Sequence, residues 1–356
     1  MNLLTSLAIL AIRLSHVLAD EDDIAVGHHI IWSYPGPNIP QTLLDATQAG
    51  KVGGVIFYSE NIDKAQDLPG QIRALQDTYK QSPGYAGFPL LLVTDQEGGI
   101  VNRLPGGPSQ SAKSIGASPD PVAAARDAGS QVATVFSQYG INGDLAPVLD
   151  VHRAEGDFTD SQQRSFSSDP TKVAEAAAPW IQALQEKGYP ATAKHFPGLG
   201  SAATQQNTDR VPVTLNTSAD DLRNVDMFPY TAAIQAGVKM VMTSWAIYPA
   251  LDADKPAGLS RKIVQEELRQ RLGFQGVTIT DALEAGSLTS FGGTGNLAVM
   301  ACQAGMDIVL ASVRRVSQGE DAHVGIVQAL RDGGIDRTEF DQATERIIAM
   351  RKALPQ

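Results

Sequence analysis

The sequence predicts an α/β fold, a single (β/α)8 TIM-like barrel with its active site at the C-terminal ends of the strands. Three observations support this prediction. Eight short apolar runs alternate with amphipathic stretches along the 356 residues. Each run is almost continuously apolar, as parallel strands covered on both faces should be. No Gly-x-Gly-x-x-Gly loop opens the first helices, which disfavours the runner-up, an open doubly wound sheet.

The predicted strands are short, and each one is followed by a stretch with helical periodicity. In chain order the strands are His28–Tyr34, Val52–Tyr58, Leu90–Asp95, Ile141–Ala146, Ala191–His195, Lys239–Ser244, Val277–Asp281 and Asp307–Ala311. Glycine follows several of the predicted helices, as it commonly does at a helix end. The helices are Pro40–Gly50, Ala65–Lys80, Pro121–Tyr139, Thr171–Lys187, Ser218–Ala236, Arg261–Leu272, Asn296–Ala304, Gln318–Arg331 and Asp336–Ala353. No proline-rich linker divides the chain, so residues 22–356 are predicted to form one catalytic barrel.

The amino-acid composition limits the kinds of molecule that the protein is expected to bind. Hydrophobic residues make up 43% of the chain and charged residues 19%, which is enough for a large core. The net charge of −11 argues against nucleic acid as a partner, because a polyanion would be repelled. Cys302 is the only cysteine, so no disulfide forms within the chain.

Residues 1–19 are predicted to be a signal peptide. The segment 3–18 is mostly apolar, ends beside the small residue Ala19, and is followed by acidic residues. This favours a secreted or extracytoplasmic protein. Because Arg13 and His16 interrupt the apolar run, an N-terminal helix of a cytoplasmic protein is the alternative. No other segment is long and apolar enough to span a bilayer, so no stable membrane insertion is expected.

Polar residues collect at the C-terminal ends of the predicted strands, where barrel enzymes place their active sites. They are Asp95, Gln96, Glu97, Asp150, Arg164, Lys194, His195 and Asp281. Asp281 is the best candidate nucleophile, because it is the first charged residue after a buried strand and so has a rigid support. A helix N-cap is its alternative role. Arg103 returns toward the mouth after Gly98-Gly99 and could bind a hydroxyl or a carboxylate.

Several of these segments resemble glycoside hydrolase family 3. The segment Leu92-Val93-Thr94-Asp95-Gln96-Glu97-Gly98-Gly99 is similar to the family's Val-Asp-Gln-Glu-Gly-Gly segment. Others agree in the same order: Lys51–Ile56, Ala146–Val151, Arg164–Phe166, Lys194–Gly198, Tyr248–Asp252 and Thr280–Leu283. The branch that the chain resembles is the single-domain β-N-acetylhexosaminidases, which remove N-acetylglucosamine during peptidoglycan recycling.

The resemblance implies an exo-acting retaining hydrolase that forms a covalent glycosyl intermediate on Asp281, without a metal or organic cofactor. The implied partner is a carbohydrate, namely a glycan or glycoside that contains N-acetylglucosamine. Five residues correspond by position to those that bind the hydroxyls of the terminal sugar in the family: Asp95, Arg103, Arg164, Lys194 and His195.

The chain departs from the family pattern where the acid/base residue is expected. Leu199 replaces a histidine of the Lys-His-Phe-Pro-Gly-His-Gly motif, and Asn207-Thr208-Asp209 lies where Asp-Ser-His is usual, so the catalytic imidazole is absent. Asp209 could be the acid/base, given a raised pKa. Alternatively, the substrate has a good leaving group or an acceptor other than water, or the protein binds sugar and hydrolyses it poorly.

Two further positions differ from the family pattern. Ile100 replaces an arginine, and Ser244-Trp245 replaces a pair that ends in histidine. Trp245 is expected to stack on a sugar at the mouth, with a core position as the alternative. Three other hypotheses for the function remain: a β-glucosidase-like member of the same family, a carbohydrate-binding remnant, and a Schiff-base enzyme that uses Lys194. The sugar-binding pattern beside Lys194 argues against the last of these, and the histidines lack metal-ligand spacing, so no metal site is predicted.

Overall fold

The predicted barrel is confirmed by a computed structural model, which describes residues 21–355; the predicted signal peptide at residues 1–19 lies outside the described residues. Every strand overlaps its predicted counterpart. In chain order they are β1 (Ile30–Trp32), β2 (Gly54–Ile56), β3 (Leu91–Thr94), β4 (Gly143–Asp144), β5 (Thr192–Phe196), β6 (Met240–Thr243), β7 (Val277–Ala282) and β8 (Ile308–Leu310).

These eight strands form a nearly closed parallel barrel. Ladder hydrogen bonds join them in the order β4-β3-β2-β1-β8-β7-β6-β5. Between β4 and β5 the ladder is reduced to a bridge that pairs Val148 with Lys194, together with loop hydrogen bonds. The amide of Thr192 donates to the carbonyl of Ala146 at 2.8 Å, and the amide of Leu149 donates to that of Lys194 at 2.6 Å. We call this contact the seam; Lys194 therefore helps to close the barrel.

Side chains inside and outside the barrel follow the two-residue period of the strands. Ile31 belongs to the interior cluster, whereas its neighbours Ile30 and Trp32 pack in the larger cluster with the surrounding helices. The interior cluster closes the space beneath the C-terminal ends of the strands with apolar side chains. Its strand residues include Ile56, Leu91, Val93, Met240, Met242, Val277, Ile279, Ile308 and Leu310.

Helices surround the barrel close to their predicted positions. The longer ones are Gln41–Gln48, Leu68–Lys80, Pro121–Tyr139, Pro170–Gln185, Phe228–Gln235, Thr294–Ala304, Val316–Arg331 and Arg337–Lys352. Shorter α-helices are Ala112–Gly116, Phe158–Ser161 and Ala219–Asp221, and 3-10 turns are Ala257–Leu259 and Gly286–Phe291. Two antiparallel hairpins project beyond the strands, Gln96–Gly98 with Val101–Asn102 and Ile247–Tyr248 with Asp252–Pro256. No helix within residues 21–355 is long and apolar enough to cross a bilayer.

Two predicted helices differ in kind from the expectation. The predicted helix Ser218–Ala236 is divided, because a π-helix at Leu222–Asp226 separates Ala219–Asp221 from Phe228–Gln235. Pro229 explains the restart, since proline lacks an N–H and suits only the first turn of a helix. The predicted helix Arg261–Leu272 is a π-helix at Lys262–Arg271.

Candidate active site

A cavity opens at the C-terminal ends of the strands, as the sequence predicts. Its volume is about 560 Å³, and loops that follow six of the eight strands line it. We call this cavity the cup. Seven of the eight predicted site residues line it: Asp95, Arg103, Arg164, Lys194, His195, Asp209 and Asp281. Asp281 therefore shares one cavity with Lys194 and His195.

Glu97 is the hub of an ion-pair network at one side of the cup. Nε and Nη2 of Arg164 donate to its two carboxylate oxygens at 2.7 and 2.8 Å. Nζ of Lys194 lies 2.6 Å from Glu97 Oε1 and 2.7 Å from Asp95 Oδ1. Burial alone would raise the pKa of Glu97, but the charges of Arg164 and Lys194 outweigh it and hold that pKa below its usual range.

The same network settles the charge of Lys194. Burial would lower the pKa of its ammonium, but Asp95 and Glu97 outweigh burial and raise it. A Schiff-base lysine needs the opposite, a depressed pKa that frees the amine as a nucleophile. The structure therefore gives Lys194 the properties of a fixed cation and not those of a nucleophile.

The hairpin after β3 brings Arg103 into the cup. The side-chain amide of Gln96 holds the hairpin, because its Oε1 accepts from the amides of Arg103 at 3.1 Å and Leu104 at 2.9 Å. Gly98 is required at the turn: its φ is +87°, and an added Cβ would lie 2.2 Å from the carbonyl oxygen of Gln110. Nε of Arg103 is buried without a hydrogen-bond partner among the described residues. Arg103 thus lines the cup with a guanidinium whose Nε lacks a protein partner within residues 21–355.

His195 is oriented by a fully buried carboxylate. Its Nδ1 lies 2.8 Å from Asp150 Oδ2, and Asp150 Oδ1 accepts from the amides of His195 and Leu199 at 3.2 and 2.8 Å. Because an ionised carboxylate only accepts, Nδ1 carries the proton and Nε2 is presented toward the cup, 3.5 Å from Arg164 Nη2. The Lys194–His195 and Phe196–Pro197 peptide bonds are cis. Asp150 therefore fixes both the ring of His195 and the turn that follows it.

Asp281 lies at the end of β7 with a raised pKa. Its Oδ1 accepts from the amide of Ala282 at 2.7 Å. Burial, and then the charge of Asp209, raise its pKa to about 6, while His195 and Lys194 act in the opposite direction. Asp281 is thus a carboxylate at neutral pH, near a second carboxyl group.

The loop after β5 holds Asp209 against the segment that follows β7. The carbonyl of Asp209 accepts from the amide of Gly286 at 2.8 Å, and that of Thr208 accepts from the amide of Ser287 at 3.1 Å. An added Cβ at Gly286 would lie 2.3 Å from the carbonyl oxygen of Arg210, so only glycine allows this approach. The loop is therefore fixed by its backbone, while the exposed carboxyl of Asp209 faces the cup.

The expectation that Trp245 stacks on a sugar at the mouth is wrong. Its side chain is 1% exposed and does not line the cup. β6 ends at Thr243, and the chain beyond it turns so that the indole lies in the core against Gly258. Its Nε1 donates to the carbonyl of Ala282 at 2.8 Å, which satisfies the buried N–H. Trp245 therefore supports the strand end that carries Asp281.

Sequence reasoning missed part of the cup. Glu97 and Asp150 follow predicted strands, but the sequence alone predicts no function for them, although the Asp95-Gln96-Glu97 spacing places two carboxylates close together after one strand. Other lining residues carry no motif, because they come from loops far apart in the chain: Tyr58, Glu60, Glu284, Ser312 and Arg314. Within residues 21–355 no group of three or more His, Cys, Asp or Glu side chains is arranged to hold a metal ion.

Comparisons with known proteins agree with this geometry. A protein of Arthroderma benhamiae named "Uncharacterized secreted glycosyl hydrolase" is 48% identical over 334 residues, which cover 93% of this chain and 94% of that protein. The structure of a family 3 β-N-acetylglucosaminidase from Paenibacillus sp. str. FPU-7 matches with a TM-score of 0.86 and 28% identity. That match covers 93% of this chain but only 62% of the Paenibacillus chain.

A second solved structure is matched along nearly its whole length. The β-N-acetylhexosaminidase from Beutenbergia cavernae DSM 12333 aligns with a TM-score of 0.82 and 30% identity, over 93% of this chain and 98% of that one. The model of the family described as "Glycosyl hydrolase family 3 N terminal domain" matches residues 28–350. The barrel and its cup are thus those of an enzyme, and the chain belongs to glycosyl hydrolase family 3.

Proposed function

We propose that this enzyme is an exo-acting retaining glycoside hydrolase that releases terminal β-linked N-acetylglucosamine. Membership of family 3 supports hydrolysis of a glycoside. The names of the Paenibacillus and Beutenbergia relatives support N-acetylglucosamine as the sugar. The observation that carries the mechanism is the position of Asp281, a carboxylate on a strand end in the same cup as the Glu97 network.

In the first step Asp281 acts as the nucleophile. Its carboxylate attacks the anomeric carbon, the bond to the leaving oxygen breaks, and the carboxyl of Asp209 gives that oxygen a proton. In the second step Asp209, now a carboxylate, takes a proton from water as the water attacks the same carbon and releases Asp281. Asp281 is ionised at neutral pH, as the attack requires, and Asp209 must hold the proton that the leaving oxygen receives.

Fixed charges hold the sugar during both steps. Arg164 and Lys194 are locked by Glu97, and His195 is locked by Asp150, so little conformational freedom is lost when the sugar binds. Arg103 contributes a guanidinium that lines the same cup. These groups suit hydroxyls that glucose and N-acetylglucosamine share, so a β-glucosidase-like activity is the second candidate.

A panel of substrates and variants tests this proposal. Wild type, Asp281→Asn and Asp209→Asn are assayed with aryl β-N-acetylglucosaminides of good and poor leaving groups and with the matching β-glucosides. We expect the N-acetylglucosaminides to be the better substrates and Asp281→Asn to abolish turnover. Asp209→Asn should slow the poor leaving group far more than the good one, because only the poor one needs a proton. Asp254→Asn, which removes an exposed carboxylate outside the cup, is the matched control.

Trapping identifies the nucleophile independently. A mechanism-based fluorosugar should leave a covalent label that peptide mass mapping places on Asp281. A label on another residue would contradict the nucleophile assignment, and an equal effect of Asp209→Asn on both leaving groups would contradict the acid/base assignment. Binding of N-acetylglucosamine without turnover of any glycoside would favour a carbohydrate-binding remnant.

Secretion is part of the proposal. The Arthroderma benhamiae relative is named as a secreted protein, and residues 1–19 have the composition of a signal peptide. N-terminal sequencing of the protein from a secreting host should begin near Asp20. A cytoplasmic protein that keeps residues 1–19 would contradict it.

A further inference from the structure

The cup has two sides of different character. The loops after β3 and β4 and the end of β5 carry the groups already assigned to the sugar, and we call them the gripping side. The loops after β8 and β2 carry Ser312, Arg314, Tyr58 and Glu60, and we call these residues the far wall. Strands β8, β1 and β2 lie between β7 and β3 in the barrel, so the far wall begins beside Asp281 and lies across from Lys194.

Arg314 is held in place on the far wall. Its φ is +61°, a left-handed conformation that disfavours residues with a Cβ. Its amide donates to Ser33 Oγ at 2.8 Å, which fixes the backbone in this conformation. Its guanidinium lies 5.3 Å above the ring centroid of Tyr58, and its Nε is 3.6 Å from Glu60 Oε1. The side chain of Arg314 is 56% exposed, so it is the backbone that is fixed, and a positive φ at the edge of the cup indicates a functional constraint on this position.

The chemistry of the far wall favours a neutral, hydroxyl-rich ligand. Arg314 and Glu60 largely balance each other in charge, and Glu284 accepts from Ser312 Oγ at 2.8 Å. A hydroxylated group can accept a hydrogen bond from a guanidinium and donate one to a carboxylate. It can therefore make the hydrogen bonds that solvent makes to these exposed groups. An apolar group would remove that water without replacing its hydrogen bonds.

The position of Asp281 indicates which part of the substrate reaches the far wall. If the gripping side holds the ring and Asp281 attacks its anomeric carbon, the leaving group occupies the part of the cup that the gripping side does not line, and the far wall lines that part. We infer that Arg314, with Tyr58 and Glu60, forms the leaving-group subsite and selects a neutral sugar as the leaving group. This inference rests on the proposed retaining mechanism.

The test compares two substrates that differ only in the leaving group. One is the β-linked disaccharide of N-acetylglucosamine, and the other is the β-glycosyl fluoride, which has no second sugar. Arg314→Gly removes the side chain and suits the positive φ, so folding is preserved. We expect kcat/KM for the disaccharide to fall about tenfold, as for the loss of a partly exposed hydrogen bond to a charged group, and the fluoride to change by less than about twofold.

Arg315→Ala is the matched control, because Arg315 is exposed in the same loop, carries the same charge and does not line the cup. It should change neither substrate. An equal fall for both substrates with Arg314→Gly, or no fall for the disaccharide, would overturn the inference. If wild type cleaves only the corresponding glucosides, N-acetylglucosamine is the wrong sugar. The effect of Arg314→Gly on the glucose disaccharide, compared with its effect on the glucosyl fluoride, then still tests the role of Arg314. If no substrate is cleaved, calorimetry measures the binding of the disaccharide to Asp281→Asn with and without Arg314→Gly. Weaker binding with Arg314→Gly supports the inference, and equal binding overturns it.

Discussion

Replacing Glu97 with glutamine tests whether the network under the gripping side stabilises the fold as well as the substrate. The substitution keeps the shape of the side chain and removes its charge. Glu97 is 5% exposed and compensates two buried cations, Arg164 and Lys194. Removing one partner of a buried ion pair costs about 3–5 kcal/mol, because a buried charge is left uncompensated. Asp95 still lies 2.7 Å from Lys194, so we expect a loss near about 3 kcal/mol, the lower end of that range.

Urea denaturation at pH 7, followed by circular dichroism, measures this loss. The matched control is Glu186→Gln, which breaks a pair with Arg126 at 2.8 Å whose side chains are each about half exposed. An exposed pair contributes less than about 1 kcal/mol, so the control should unfold almost like wild type. Equal shifts in midpoint for the two variants, at unchanged slope, would refute the reasoning.

The difference in unfolding free energy between wild type and Glu97→Gln should depend on pH, and the direction of that dependence can be predicted. Arg164 and Lys194, outweighing burial, hold the pKa of folded Glu97 below its unfolded value of about 4.3. A depressed carboxyl pKa contributes stability that is fully present above the unfolded pKa and is lost as the pH falls through the folded pKa. The gap in stability between wild type and Glu97→Gln should therefore be widest near neutral pH and narrow as the solution is acidified below about pH 4.

Two further predictions concern β7. The kcat/KM of wild type on an aryl glycoside should fall as the pH drops through about 6, because the proposed nucleophile Asp281 must be a carboxylate to react, and burial together with Asp209 raises its pKa to that value. An acidic limb near pH 4, the ordinary value for aspartate, would contradict this assignment. Trp245→Phe should lose about 1 kcal/mol of stability with its hydrogen bond to Ala282, at unchanged KM. A raised KM at unchanged stability would instead favour a direct contact with sugar.

The fold could be predicted closely because its signals are local. Strand β3 and helix Pro121–Tyr139 are each specified by their own apolar period and by the residues at their ends. The division of the predicted helix Ser218–Ala236 was missed, although Pro229 marks the restart. Its apolar pattern continues through the π-helix at Leu222–Asp226, so periodicity alone does not reveal the break.

The site could be predicted only where a motif carried it. Lys194, His195 and Asp281 stand at strand ends, and barrel topology brings such ends together. The direction of a side chain beyond a strand end depends on the loop, which is why Trp245 was placed at the mouth although it lies in the core. Arg314 lines the cup from a position with a positive φ, and nothing in the local sequence predicts that conformation.

The seam has a consequence for how this enzyme would lose activity when heated. The main-chain amide and carbonyl of Lys194 hold the two ends of the cylinder together, while its ammonium lies in the cup. Closure of the barrel and the proposed recognition of the substrate therefore depend on the same residue. We expect that opening of the barrel at the seam on heating would displace the ammonium of Lys194, so that the seam and the activity are lost together.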